Sequence, residues 1–227
     1  ALLAGSLALF DDLVVTTGAG TDPRTPTFVV PAEGNLISGN GGDGVLIEGA
    51  STDNNLLGNF IGTVAGGLAA LGNAGDGVQI TDSDFNHIVG CDITDNPFVY
   101  YNVISGNDGN GIHVTNSGGT VVQANYVGIS ANDSLALGNT GNGILVDGDS
   151  SSTTVGGEIP LGNVFAGNGQ NGIAVVDTAS GFTSFNSFSG LFSFGGPAPN
   201  GENGLLITST GGGQVIETSV FSGNTAN

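Results

Sequence analysis

Hydrophobic and polar residues alternate in short bursts along this chain, and the bursts recur. The tetrad Gly-Val-x-Ile, or a close variant, opens at Gly44, Gly77, Gly111, Gly143, Gly172 and Gly204, in steps of 29 to 34 residues. A period of two puts Val45, Val78, Ile112, Ile144, Ile173 and Leu205 on the same face as Ile47, Ile80, Val114, Val146, Val175 and Ile207. Each burst therefore predicts a short strand with one buried face. A second strand type keeps step, beginning at Asn54, Asn86, Thr120, Thr153 and Asn186. A third segment precedes each tetrad in two alternating forms. It is strand-like from Asn35, Asn102 and Asn163, and loop-like at Ala70-Leu-Gly-Asn73 and Ala136-Leu-Gly-Asn139.

Three short strands per turn of about 30 residues, joined by Gly, Asn and Asp corners, predict an all-β chain wound as a parallel β-helix of about seven turns. At about 4.8 Å per turn the stack would be roughly 33 Å long. Residues 35–227 read as one continuous repeat domain, and residues 1–34 as an irregular first turn or cap.

Two polar columns accompany the strands. Asn40, Asn73, Asn107, Asn139, Asn168 and Asn200 never vary, which predicts a ladder of stacked amides at a bend. Asp43, Asp76, Asn110, Asn142, Asn171 and Asn203 precede the tetrad glycines. These residue types tolerate left-handed backbone and cap turns, so this column is expected to serve the corner as well. The middle tetrad residue should face outward, yet Leu46, Gln79, His113, Leu145, Ala174 and Leu206 are mostly apolar. Such a stripe calls for a covering loop or for lateral contact with another chain, and the inserts 61–72 and 128–137 are the candidate covers.

Composition adds constraints on partners. Forty-three Gly, with neither Met nor Trp, indicate a backbone bent many times and almost no helix. Arg24 is the one Lys or Arg residue against twenty carboxylates, and the formal charge of −19 repels phosphate, which excludes nucleic-acid binding. Such acidity suits an extracellular or high-salt setting. Cys91 is alone, so the chain holds no disulfide framework. The apolar opening Ala1 to Phe10 lacks a basic flank and is too short for a membrane span. Beginning on Ala rather than Met fits a processed product or a piece of a longer protein.

The run Asn-x-Ile-Ser-Gly-Asn-x-x-x-Gly-Val-x-Ile, the Ile61-Gly-Thr63 that leads to Ala70-Leu-Gly-Asn73, and Val155-Gly-Gly157 before Asn163 carry a resemblance. Over Asn35 to Asn224 the chain resembles the right-handed parallel β-helix repeats of pectin-lyase-like proteins. In particular it is similar to the non-catalytic Asn/Gly-rich repeats of large bacterial surface and secreted proteins. The resemblance implies a right-handed winding and an extracellular or cell-surface location. It implies little about activity, because the fold hosts lyases, hydrolases, epimerases, tailspikes, adhesins and passive stalks.

Candidate chemistry is sparse. A lyase of this fold needs Arg or Lys beside calcium-bound substrate, and Arg24 sits in the irregular N-terminal stretch between Pro23 and Pro26. A glycoside hydrolase needs two flanking carboxylates, for which the best group is Asp82, Asp84, Asp92 and Asp95, with His87, His113, Tyr100 and Tyr101 as neighbours. Those Asp residues fall mostly in corners where Asp is ordinary, and no paired-Asp motif or Trp platform accompanies them. His87 and His113 lie on strands of neighbouring turns and read as surface imidazoles. Asn132-Asp-Ser134 is a glycosylation-type sequon in a loop. No residue is thus given a catalytic, cofactor-binding or metal-ligating role. No cofactor is called for, although calcium stays open through the Asp column. The expected function is a non-enzymatic structural or adhesive module: a spacer, fibre subunit or surface-binding scaffold that assembles end to end. Its partners would be further copies or other surface proteins. The alternative is a carbohydrate-active β-helix, either a neutral-glycan hydrolase or a glycan binder.

Overall fold

A computed structural model of the chain describes residues 34–90 and 101–226. Among these, nineteen short strands pair only in parallel and build three sheets, with no helix. The first turn runs β1 (Leu36–Ile37), β2 (Val45–Ile47) and β3 (Asn55–Leu57), and each strand founds one sheet. Sheet 1 continues with β4 (Phe60–Ile61), β7 (Asn102–Ile104), β10 (Asn125–Val127), β13 (Val164–Phe165), β16 (Phe188–Ser189) and β19 (Val220–Phe221). Sheet 2 holds the tetrads: β5 (Val78–Thr81), β8 (Ile112–Thr115), β11 (Ile144–Asp147), β14 (Ile173–Val175) and β17 (Leu205–Ile207). Sheet 3 adds β6 (His87–Val89), β9 (Val121–Gln123), β12 (Thr154–Gly156), β15 (Thr183–Phe185) and β18 (Val215–Glu217). The chain is a parallel β-helix with three strands per turn. Its sheets of seven, six and six strands amount to slightly fewer turns than the seven expected.

The two tetrad columns pair in register from Val45↔Val78 to Val175↔Ile207, and they fill the interior with the inward residues of the other sheets. Sheet 1 contributes Ile61, Ile104, Val127 and Phe165, and sheet 3 contributes Ile88, Val122 and Val155. The expected N-terminal cap falls on residues 1–34, of which only Gly34 is described.

Burying the corners leaves backbone groups that side chains must satisfy. In the invariant column, the backbone N–H and side-chain amide of Asn73, Asn107, Asn139 and Asn168 each donate to Oδ1 of the Asn one turn later, at 2.8 to 3.3 Å. The ladder ends on Asn224. The Asp43-to-Asn203 column is a second ladder of opposite polarity, each member donating one turn back. None of its members adopts a left-handed backbone, contrary to the expectation from residue type. A third ladder runs Asn35, Asn59, Asn102, Asn125, Asn163, and Ser51, Ser83, Ser117 and Ser150 form a hydroxyl version.

The loop-like turns differ from the expected picture. Each contains a sheet 1 strand first (β4, β10 or β16), then an insert closed by an antiparallel bridge at Thr63–Ala70, Ile129–Ala136 or Leu191–Pro197. The segment from Asn186, expected in the second strand type, is therefore sheet 1, and sheet 3 continues instead through Thr183–Phe185. The three inserts stack, with Ala131 N–H donating to Gly67 O at 2.9 Å and Ser193 N–H to Asp133 Oδ2 at 3.0 Å. Gly67 has φ of 63°, and a Cβ there would stand 2.7 Å from that of Ala131 and 2.8 Å from the Phe60 ring. The inserts cover the outer face of sheet 1, not the tetrad stripe. Phe60, Val103, Tyr126 and Val164 are buried beneath them with Ile129, Phe192 and Ala198 as a second apolar cluster. Leu46 stays exposed in the stripe, while Ala174 is buried at 2%.

Two stability predictions follow from these corners. Asn139→Ala strips partners from Asn107 and Asn168 and from the Ile104 carbonyl, all buried, so urea unfolding should show a loss of about 3 kcal/mol or more. The buried Thr153 hydroxyl has no hydrogen-bond partner among the described protein atoms, so Thr153→Val should raise stability by about 1 kcal/mol in the same assay.

Candidate functional site

The expected carboxylate cluster is not brought together by the described residues. Asp82 is an exposed left-handed corner residue, and exposed Asp84 accepts the Gly118 N–H at 2.6 Å. His87 lies on sheet 3, His113 on sheet 2 and Tyr101 beside sheet 1. Asp92, Asp95, Tyr100, Cys91 and Arg24 lie outside the described residues. Among the described residues no group of three or more His, Cys, Asp or Glu side chains could hold a metal ion. No helix among them is long and apolar enough to cross a membrane.

His113 is not the simple surface imidazole expected. It is the outward residue of β8, flanked in register by Gln79 and Leu145. Its Nδ1 is 3.0 Å from Asp76 Oδ2 and its Nε2 is 3.0 Å from Asp147 Oδ2. Asp76 arrives from the corner before β5, and Asp147 from the end of β11, so three successive turns meet at one ring. Asp76 is held rigidly, because its Oδ1 accepts the Asn110 N–H at 2.5 Å and the Asn110 amide at 3.0 Å. An imidazole between two ionised carboxylates donates from both nitrogens, which requires its charged form. Burial pushes the His113 pKa down, but the hydrogen bonds to Asp76 and Asp147 and their charges outweigh it and hold it above the ordinary 6.5. For Asp76, burial pushes upward, and the His113 hydrogen bond, the Asn110 contacts and the His113 charge bring the carboxyl below 3.8. With both nitrogens engaged the ring has none left to accept a proton, so the arrangement ties turns together and is not poised for base catalysis.

A second site lies on the outer face of sheet 1. Val164 and Phe188, paired on adjacent rungs, floor a groove of about 260 Å³. Tyr101 forms one wall, its ring stacked on Tyr126 with centroids 4.0 Å apart and planes 10° from parallel. Ser193 of the third insert lines another side, and Ile159, Asn186 and Thr218 complete the rim. The walls are braced from behind. Asp133 accepts the backbone N–H and the hydroxyl of Ser193, and Asn186 Nδ2 donates to Gly157 O at 2.8 Å. Burial above all, then Tyr101 and Asp133, push the Tyr126 phenol upward, so it stays protonated beside Ser193 and Tyr101. In the sequence, Tyr101 stands out only as a neighbour of carboxylates. The groove is not legible in the sequence because its residues come from four turns and an insert whose stacking no local pattern encodes.

No family model, curated protein or solved structure matches the chain.

The pairing around His113 has a defined pH signature. The raised His113 pKa contributes stability that is complete below about 6.5 and is lost as pH rises through the folded-state value. The lowered Asp76 pKa contributes stability present above 3.8 and lost as pH falls through its own folded-state value. His113→Gln should therefore cost most near pH 5, about 1–2 kcal/mol for two partly exposed charge-assisted bonds, and progressively less in alkaline buffer. Thermal unfolding of both proteins across pH 4 to 10 measures the difference.

Proposed function

We propose that this chain is a non-enzymatic structural or adhesive module of an extracellular or cell-surface protein, a rigid acidic rod that spaces or presents binding surfaces. One observation carries the reading: the buried Asn columns and the His113 cluster hold turn to turn. Buried Asn and Ser run in ladders along the stack, and His113, the residue that stands out from its column, closes on Asp76 and Asp147. A charge of −19 supports a setting in which solubility and mutual repulsion of rods matter. No resident cofactor enters this reading, and calcium would act only as an added stabiliser.

End-to-end contact between copies belongs to the same reading. On the rung of β17 to β19, Ile207, Val215, Ile216 and Val220 are each about 40% exposed, an apolar strand surface on which a further rung can stack. Sedimentation velocity should show assembly growing with protein concentration, and Val215→Lys with Val220→Lys should abolish it. Monomers at every concentration would contradict the fibre form of the reading. Incubation with neutral polysaccharides should release no reducing ends. Turnover that vanishes in Asp133→Asn would overturn the non-enzymatic assignment and favour the hydrolase alternative.

A further inference from the structure

The geometry points to the groove on sheet 1 as a binding site for one ring of a neutral glycan. This rests on the adhesive half of the proposed function and gives it a face and a ligand class. A sugar ring is amphiphilic: its C–H faces seek flat apolar surface, and its equatorial hydroxyls need donors and acceptors at the edge. The groove offers both. Tyr101 and Phe188 are half-buried aromatic rings, Val164 closes the floor, and the amide of Asn186 with the hydroxyls of Ser193 and Thr218 stands at the margin.

Charge narrows the ligand further. Among the described residues, no ionised side chain lines the groove. The surrounding molecule carries −19, which opposes anionic sugars, and a cationic ligand would lose its hydration without gaining a carboxylate partner from the described lining residues. Size sets the extent of contact. A volume of about 260 Å³ falls just below the ~300 Å³ at which small-molecule sites begin, enough for a single ring of a chain passing over the surface. The site is also prepared in advance. Tyr101 is held on Tyr126, Ser193 by Asp133 and Asn186 by Gly157, so little side-chain freedom remains to be lost on binding. Ile159, 86% exposed at the rim, adds an apolar edge without taking part in the core.

The test uses the whole chain and a panel of neutral oligosaccharides of four to six units: gluco-, xylo-, manno- and galacto-configured. Calorimetry should find at least one binder, and amide shifts of the wild-type protein on titration should centre on Tyr101, Phe188, Asn186 and Ser193. Tyr101→Ala and Ile159→Ser should each weaken that binding tenfold or more, while Tyr101→Phe, which keeps the platform, should retain most of it. Because Ile159 is exposed, its variant reads binding without disturbing the fold. The inference is overturned if no neutral oligosaccharide binds, if the shifts map elsewhere, or if only charged sugars or peptides bind. Concentration-dependent assembly of the rod is measured separately, so a failure here leaves the structural half of the function standing.

Discussion

Every buried corner of a β-helix strands peptide groups that no strand partner can reach, and in this chain stacked side-chain amides satisfy them. An Asn at such a corner must accept through Oδ1 from one neighbour and donate through Nδ2 to the other. Asp can only accept, Ser has a shorter reach, and Gln does not fit the same spacing. That is why the column through Asn73, Asn107, Asn139 and Asn168 tolerates nothing else: all four are fully or almost fully buried. The apolar interior supplies most of the driving force for collapse, but the ladders fix the vertical register. A slip of one residue between neighbouring turns would leave a row of buried amides unpaired.

The two principal ladders run with opposite polarity, and the difference explains where Asp is allowed. In the column through Asp43 and Asp76, the Asp76 N–H donates to the Asp43 side-chain Oδ1 at 2.7 Å, so the step needs no side-chain donor. A carboxylate at position 76 still accepts from Asn110 and has a second oxygen to spare. That oxygen meets His113. The charged clasp and the interrupted ladder are thus one substitution read from two sides. The cost of placing Asp in a stack of amides is offset by an imidazolium one turn away.

Much of this was legible in the chain. The tetrad spacing and its alternation define sheet 2 and the core columns, and the unchanging Asn column announces the ladder. The third ladder was hidden because its spacings are 24, 43, 23 and 38 residues, an alternation made by the inserts on every second turn. Asn59-Phe-Ile-Gly and Asn125-Tyr-Val-Gly were the available signal, an Asn before an outward aromatic and an inward aliphatic residue. The inserts cover sheet 1 and not the apolar stripe of sheet 2 because Phe60 and Tyr126 face outward there, a direction visible only once β4 and β10 are known as strands. The partners of His113 lie 37 and 34 residues away, Asp76 in a column that reads as a corner and Asp147 at the end of a tetrad strand, and only the stacking brings them to one ring. The groove is the least legible feature, since it arises where inserts and rungs meet.

The central claim is that the amide ladders, and not the strands alone, hold the stack. Native-state hydrogen exchange of the backbone amides at Asn73, Asn107, Asn139 and Asn168 tests it most directly. The account predicts that these corner amides exchange only through global unfolding, at the rate of Ile112 and Ile144 in the core strands. Exchange as fast as that of the exposed insert residues would contradict it.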